Sequence, residues 1–193
     1  MEHLLSKIHE CDICQNKLPL GPRPVVVAHP KSKIVIIGQA PGSIVHNTGI
    51  PWNDKSGENL RNWMGINTTT FYNEKKIAII PMGFCYPGRG KSGDNPPTKE
   101  CAPQWHNDLL TKIEKPELIL LIGKYAQNYY LKGTSKKTLT ETVRNYKTYL
   151  PKYVVLPHPS PRNNIWQAKN KWFKEQVIPD LKQIIKEVLE KNT

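Results

Sequence analysis

Four short apolar runs, each stopped by a glycine or a proline, constrain the fold of this chain more than any other feature. The runs lack alternation of polar and apolar residues, which is typical of strands buried on both faces of a parallel sheet. A glycine or proline directly after a run ends the strand and begins a loop. Strands are therefore expected at Lys33–Ile37, Lys76–Ile80, Glu117–Ile122 and Tyr153–Leu156.

Helical segments separate the predicted strands. Leu60, Trp63 and Met64 share one face of a helix predicted over Gly57–Met64, with Ser56 as its N-cap. Alternating strands and helices predict a parallel sheet with helices on both faces. The other predicted helices are Ala102–Ile113, Gly123–Leu131 and Gln167–Lys191, the last interrupted at Pro179.

The charge of the chain favours a polyanionic partner. Lys and Arg number 28 against 16 Asp and Glu, which gives a net charge of +12 over 193 residues. That length suits one domain spanning residues 1–193, and nucleic acid is the commonest partner of so basic a protein. No run approaches the roughly 20 apolar residues that cross a bilayer, and Met1–Leu5 does not begin a secretory signal. A cytoplasmic protein without a membrane partner is expected.

Two of the turns that follow strands carry groups suited to chemistry. Residues Gly38–Gly42 read Gly-Gln-Ala-Pro-Gly, and residues His158–Pro161 read His-Pro-Ser-Pro. Ligands of α/β sheets bind outside the carboxyl ends of the strands, so the two turns are expected to converge on one cleft. One turn offers a glycine-rich backbone and the other a histidine, which together suit hydrolysis of a base from nucleic acid.

Four cysteines form a second candidate site. Cys11 and Cys14 make a C-x2-C pair, while Cys85 and Cys101 bracket the stretch Tyr86–Lys99, which is rich in glycine and proline and is predicted to be a functional loop. In a reducing compartment such cysteines are thiols or metal ligands rather than disulfides. Four thiolates suit either zinc or an iron–sulfur cluster. Four buried cysteines without a ligand are the remaining alternative.

In their order and spacing these motifs resemble the uracil-DNA glycosylase superfamily, and most closely its iron–sulfur branch, known as family 4. The resemblance covers nearly the whole chain, including Gly49-Ile50-Pro51-Trp52 and Asn95-Pro96-Pro97. It implies a three-layer α/β/α sandwich around a four-stranded, mostly parallel sheet. It also implies a monomeric, monofunctional DNA repair glycosylase that hydrolyses the N-glycosidic bond of uracil or a related deaminated base.

The resemblance further implies a role for individual residues. His158 would donate a hydrogen bond to O2 of the leaving pyrimidine, and the turn around Gln39 and Ala40 would hold the attacking water. Trp52 would stack on the flipped base. The implied substrate-binding residues are Gly38, Pro41, Gly42, Trp52 and Asn53; the implied DNA contacts are Ser160, Arg162, Asn163, Arg89 and Lys91. A [4Fe–4S] cluster is implied on Cys11, Cys14, Cys85 and Cys101, with zinc or no metal as the alternatives.

The first motif departs from the family pattern because it has no carboxylate. Gln39 stands where the iron–sulfur branch usually has glutamate, and Ala40 stands where some relatives have aspartate. Asp54 is the nearest acid in the sequence and is a candidate to activate the water. Alternatively, the backbone alone would hold the water.

The end of the second strand is another departure. Pro81 occupies the place where the family usually has an asparagine that pairs with the uracil edge, and Asn53 or Asn95 would have to supply the amide instead. Loss of a bidentate amide contact costs roughly 1–3 kcal/mol of discrimination. Together the two departures motivate an alternative hypothesis, in which the chain binds damaged DNA or RNA on this scaffold with little or no catalysis.

Overall fold

The apolar runs form one parallel sheet, as their composition predicts. A computed structural model of the protein describes residues 1–191. The strands of the main sheet are β1 (Ile34–Ile37), β2 (Ile77–Ile79), β5 (Leu118–Ile122) and β6 (Tyr153–Leu156), and a small antiparallel hairpin holds β3 (Arg89–Gly90) and β4 (Gly93–Asp94). The main sheet has the order β2–β1–β5–β6 with every pairing parallel.

Helices flank this sheet and complete the expected three-layer α/β/α sandwich. Helix α6 packs on β5 and β6, α7 packs on β6, and α3 packs against α9. The helices are α1 (Glu2–His9), α2 (Ser43–Thr48), α3 (Lys55–Met64), α4 (Thr68–Phe71), α5 (Asn107–Thr111), α6 (Gly123–Tyr130), α7 (Leu139–Arg144), α8 (Asn164–Lys169) and α9 (Ile178–Glu190). Among residues 1–191, no helix is both long and apolar enough to cross a membrane.

The strands are buried on both faces, which explains their continuous apolar composition. Every residue of β1 is completely inaccessible to solvent, and Ile36 pairs with Ile79 on one side and Leu120 on the other. Burial of a full Val, Leu or Ile side chain contributes roughly 1.5–3 kcal/mol. The central strands therefore form a rigid platform beneath the loops at their carboxyl ends.

The start of α3 differs from the sequence prediction. Asp54, rather than Ser56, is the N-cap: its carboxylate accepts a hydrogen bond of 2.8 Å from the backbone N–H of Gly57. The helix consequently begins at Lys55, two residues earlier than predicted. Aspartate and serine are about equally good N-caps, so the sequence preference could not separate them.

The C-terminal helical region is broken at Asn170 and not at Pro179, contrary to the sequence prediction. Helix α8 ends at Lys169, a π-helical segment covers Phe173–Val177, and α9 follows it directly. Pro179 follows the π-helical segment directly, so the wider turn precedes the residue that lacks an N–H. A second π-helical segment, Ala102–His106, precedes α5, so the helix predicted over 102–113 is present but starts with a wider turn.

The stretch Tyr86–Lys99, predicted as a loop without secondary structure, contains the β3–β4 hairpin. Arg89 pairs with Asp94 and Gly90 pairs with Gly93 across a two-residue turn. The two turn residues are Lys91 and Ser92 and not one of the Asn-Gly or Gly-Gly pairs that indicate a hairpin, which is why the sequence did not predict it. The hairpin projects toward the carboxyl ends of the main sheet, where it lines a pocket.

Candidate active site

The loops that follow β1, β2 and β6 enclose a pocket of about 450 Å³, closed on one side by the β3–β4 hairpin. This volume lies within the range of small-molecule sites. Its position outside the carboxyl ends of the strands is the one expected for an α/β sheet. Ten of the predicted site residues line it: Gly38, Gln39, Ala40, Pro41, Gly42, Trp52, His158, Ser160, Arg162 and Asn163.

His158 lines this pocket, and one of its ring nitrogens has a hydrogen-bond partner in the protein. Its Nδ1 accepts a hydrogen bond of 3.2 Å from the backbone N–H of Ser160. A neutral imidazole whose Nδ1 is an acceptor carries its proton on Nε2. Burial lowers the pKa of His158, and the nearby carboxylate of Asp54 only partly opposes that shift. The ring is therefore neutral at physiological pH, with an Nε2–H donor.

Three hydrogen bonds hold the turn that carries His158. The Asn163 amide donates to the His158 carbonyl at 2.7 Å, and the Asn59 amide donates to the Pro159 carbonyl at 2.9 Å. The Ser160 hydroxyl accepts from the backbone N–H of Arg162 at 3.3 Å. Ser160 and Asn163, both predicted as DNA contacts, thus fix the position of the histidine.

Trp52 lies between the two predicted motifs. The centroids of its indole ring and the His158 imidazole are 5.6 Å apart, with 33° between the ring planes. On its other side the indole touches the first turn so closely that a Cβ on Gly38 would lie 2.8 Å from Cζ2. Gly38 is therefore required for the close approach of this ring.

The backbone of Trp52 is strained, with a φ of 56°. A bulky residue with positive φ persists only where its surroundings over-determine it, and such residues cluster at functional sites. Arg61 donates to the Trp52 carbonyl at 3.2 Å, and the Tyr72 hydroxyl donates to the Pro51 carbonyl at 3.1 Å. A Cβ on Gly57 would lie 1.7 Å from the Trp52 carbonyl oxygen, so Gly57 is part of the same support.

Gln39 ties the first turn to the hairpin. Its side-chain amide donates to the backbone carbonyl of Asn95 at 3.1 Å. The backbone of the same turn accepts hydrogen bonds from the N–H groups of Met82 and Gly83, just after β2. The turn, the end of β2 and the hairpin are therefore one connected unit.

The predicted DNA contacts and base-reading amides are only partly brought together. Arg162 reaches across the pocket rim and donates to the Ser92 carbonyl at 3.1 Å. Arg89 and Lys91 are exposed on the hairpin. Asn53 is exposed and does not belong to the pocket lining, and the Asn95 amide donates to the Pro87 carbonyl at 3.1 Å.

Two carboxylates line the pocket, although the first motif contains none. Asp54 was a candidate from the sequence, while Asp94 was missed. Partial loss of solvent at the carboxyl raises the pKa of Asp94, although the residue as a whole is exposed, and Arg162 and Arg89 oppose the rise. No local sequence signal indicated Asp94, because it lies far along the chain from both predicted motifs.

The four cysteines lie around a second, narrow cavity of about 10 Å³, whose other walls include Leu18, Pro22 and Phe84. All four are free thiols, and Cys14, Cys85 and Cys101 are buried. The Cys101 sulfur accepts from the backbone N–H of Phe84 at 3.5 Å, and burial raises the pKa of Cys85 to about 11.

This donor set fits a soft metal ion or a cluster, since thiols converge from the N-terminal segment and from both ends of the hairpin loop. The geometry is not that of a closed metal centre, however. Within residues 1–191, no group of three or more His, Cys, Asp or Glu side chains is arranged so that it could hold a metal ion as it stands.

The model of the uracil DNA glycosylase superfamily matches residues 25–182, which include both motifs of the pocket, the hairpin, Cys85 and Cys101. The matched region begins after Cys11 and Cys14, so it does not extend to the C-x2-C pair.

Proposed function

The chain belongs to the uracil DNA glycosylase superfamily, and from this premise we propose that it hydrolyses the N-glycosidic bond of uracil or a related deaminated base in DNA. Membership supports a glycosylase-type function in general. One observation carries the specific proposal: Trp52 and His158, whose Nδ1 is engaged so that Nε2–H is left to donate, lie side by side in a pocket large enough for a base.

The neutral His158 suits the charge that develops when the bond breaks. The base departs with the bonding electron pair, and for a pyrimidine much of that charge appears on O2. A pre-positioned donor aimed at developing charge is worth about 10²–10³ in rate. Because Nδ1 already accepts from Ser160, Nε2–H is the group left to donate to the base.

Trp52 suits the capture of a flipped base. Extracting a nucleotide from the duplex costs a few kcal/mol, and stacking on an aromatic ring returns roughly 1–3 kcal/mol. The support of Gly57, Arg61 and Tyr72 keeps the indole in place before the base arrives, so no ordering cost is added on binding.

The DNA backbone would lie across the pocket mouth. Arg89 and Lys91 on the hairpin and Ser160 on the opposite turn flank the opening, and the net charge of +12 favours approach of a polyanion. Arg162 would exchange its bond to the Ser92 carbonyl for a phosphate or for the gap left by the flipped base.

The identity of the base follows from which groups are free to read it. Pro81 lines the pocket without a side-chain hydrogen bond, and the amides of Gln39 and Asn95 are already bonded to backbone carbonyls. We therefore expect weak discrimination among deaminated bases, with uracil excised more slowly than in a site that has a reading asparagine.

The test is base release from oligonucleotides that contain one uracil, hypoxanthine or xanthine, single- and double-stranded, with enzyme limiting. Alkali converts each abasic product into a strand break. Multiple turnovers on one of these bases would support the proposal. Tight, salt-dependent binding to damaged DNA without any product would instead support the alternative binding protein, which the missing first-motif carboxylate favours.

We also propose that Cys11, Cys14, Cys85 and Cys101 hold a [4Fe–4S] cluster, as the resemblance to the iron–sulfur branch implies. Their convergence on one cavity supports this, and the four thiols would have to move closer together to hold the cluster. Such a cluster would be structural, tying the N-terminal segment to both ends of the hairpin loop in a reducing, intracellular compartment. Iron and acid-labile sulfide in the anaerobically purified protein would support it, whereas stoichiometric zinc or no metal would contradict it.

A further inference from the structure

The β3–β4 hairpin places a carboxylate directly over the first turn. Asp94 is the last residue of β4, and its Oδ2 lies 3.5 Å from the point where a Cβ on Gly42 would stand. Two bonds fix the hairpin there: Gln39 donates to the Asn95 carbonyl, and Arg162 donates to the Ser92 carbonyl. Asp94 therefore reaches the pocket from a different segment than the first motif.

The other carboxylate of the pocket has a different task. One oxygen of Asp54 accepts the N–H of Gly57 and caps α3. Within residues 1–191, by contrast, no hydrogen bond or ion pair engages the Asp94 carboxylate, and this exposed residue lines the pocket. Partial loss of solvent at the carboxyl raises its pKa, while Arg162 and Arg89 keep it from rising further. A base works best when its pKa lies close to the working pH.

We propose that Asp94 is a catalytic residue that orients the attacking water and accepts its proton, a role that rests on the proposed glycosylase function. The bond between C1′ and the base nitrogen breaks, and its electron pair leaves with the base, whose O2 accepts from His158. The water oxygen bonds to C1′, its proton passes to Asp94 and then to the base, and the products are free base and an abasic sugar.

This assignment also explains why glutamine suits position 39. The Gln39 amide donates to the Asn95 carbonyl, which an ionised glutamate could not do. A glutamate would also place a second negative charge beside Asp94. Gln39 is thus a positioning residue, which acts on the water only through the hairpin.

The experiment measures single-turnover base release against pH for the wild type, Asp94→Asn, Asp54→Asn and the distant control Asp108→Asn. We expect Asp94→Asn to lose at least about 10²-fold in rate and to lose the acidic limb of the pH profile. Its DNA affinity should stay level or rise, because a negative charge has left the pocket. A purely structural defect would lower affinity and the unfolding midpoint together.

Asp54→Asn is informative because asparagine also caps helices well, so the variant removes the charge and keeps α3. Loss of the acidic limb in Asp54→Asn, with Asp94→Asn unchanged, would overturn the proposal in favour of Asp54. A wild-type rate in both variants would overturn it in favour of water held by the backbone. Absence of base release by the wild type itself would overturn the proposed function together with this inference, so the two failures are distinguishable.

Discussion

Two histidines in similar environments differ in how many of their ring nitrogens have a hydrogen-bond partner in the protein. His158 in the pocket and His106 in the core both have a pKa lowered by burial, and each has an aromatic neighbour with ring centroids less than 6 Å away. The Nε2 of His106 donates to the Pro81 carbonyl at 3.0 Å, and its Nδ1 accepts from the Tyr130 hydroxyl at 2.6 Å. His158 lines the pocket and, within residues 1–191, has a hydrogen-bond partner at Nδ1 but none at Nε2.

A lowered pKa therefore does not by itself identify a functional histidine. In His106 both ring nitrogens form hydrogen bonds within the protein. In His158 only Nδ1 has a hydrogen-bond partner within residues 1–191. The two regions meet at Pro81, whose carbonyl binds His106 and whose ring lines the pocket, so one residue borders both environments.

The largest effect on activity is expected from removing the Nε2–H donor of His158. His158→Ala should lower the rate of base release by about 10²–10³, because the developing charge on the base loses its donor. His158→Gln should recover part of that rate, since its amide can donate from a similar position. Single-turnover kinetics and the thermal midpoint are the measurements. A rate equal to wild type for His158→Ala would remove the distinction between the two histidines.

His106 should instead affect how the free energy of unfolding changes at acidic pH. Burial lowers the pKa of His106 to about 4, below the value near 6.5 of an unfolded chain. Neutral His106 therefore stabilises the fold fully above pH 6.5, and this stabilisation is lost as the pH falls toward 4. The difference corresponds to about 3 kcal/mol of unfolding free energy.

Denaturant titrations at intervals between pH 7 and pH 4 would measure this loss. The matched variant is His106→Gln, whose amide can still donate to Pro81 and accept from Tyr130 but does not titrate. We expect a shallower acid dependence for that variant than for the wild type. An identical pH dependence in both proteins would show that His106 is not the titrating group.

The sheet and the pocket turns could be predicted from the sequence because they depend on local signals. Apolar runs ended by glycine or proline fixed the strands, and the parallel arrangement then brought Gly38–Gly42 and His158–Pro161 to one edge. The cysteines were likewise predicted to converge, and they do line one cavity.

The features that the sequence did not predict depend on contacts between segments far apart in the chain. Asp94 enters the pocket only because the hairpin folds back over the first turn, and Arg162 binds that hairpin across the rim. The two hydrogen bonds of the His106 ring likewise need a tyrosine 24 residues along the chain and a carbonyl 25 residues back. No local pattern of residues encodes these distances.

A smaller effect is expected at the aromatic partner of His158. Trp52→Ala should weaken capture of the flipped base by roughly 1–3 kcal/mol, because the stacking surface is lost. The loss should appear in KM, or in the affinity for DNA carrying the damaged base, more than in the rate of bond cleavage at saturation. The thermal midpoint should fall as well, since alanine keeps the positive φ of this position and loses the packing of the half-buried indole against the core.

Trp52→Phe is the matched control, because phenylalanine keeps a ring at the same position. It should retain most of the affinity for damaged DNA, and both variants should bind undamaged DNA like the wild type, since no flipped base is present to stack. Equal weakening on damaged and undamaged DNA would mean that Trp52 supports the surrounding loop instead of the base. Trp52 would then only pack beside His158, as Phe84 packs beside His106. The Nε2–H donor of His158 would be the one functional difference left between the two histidines.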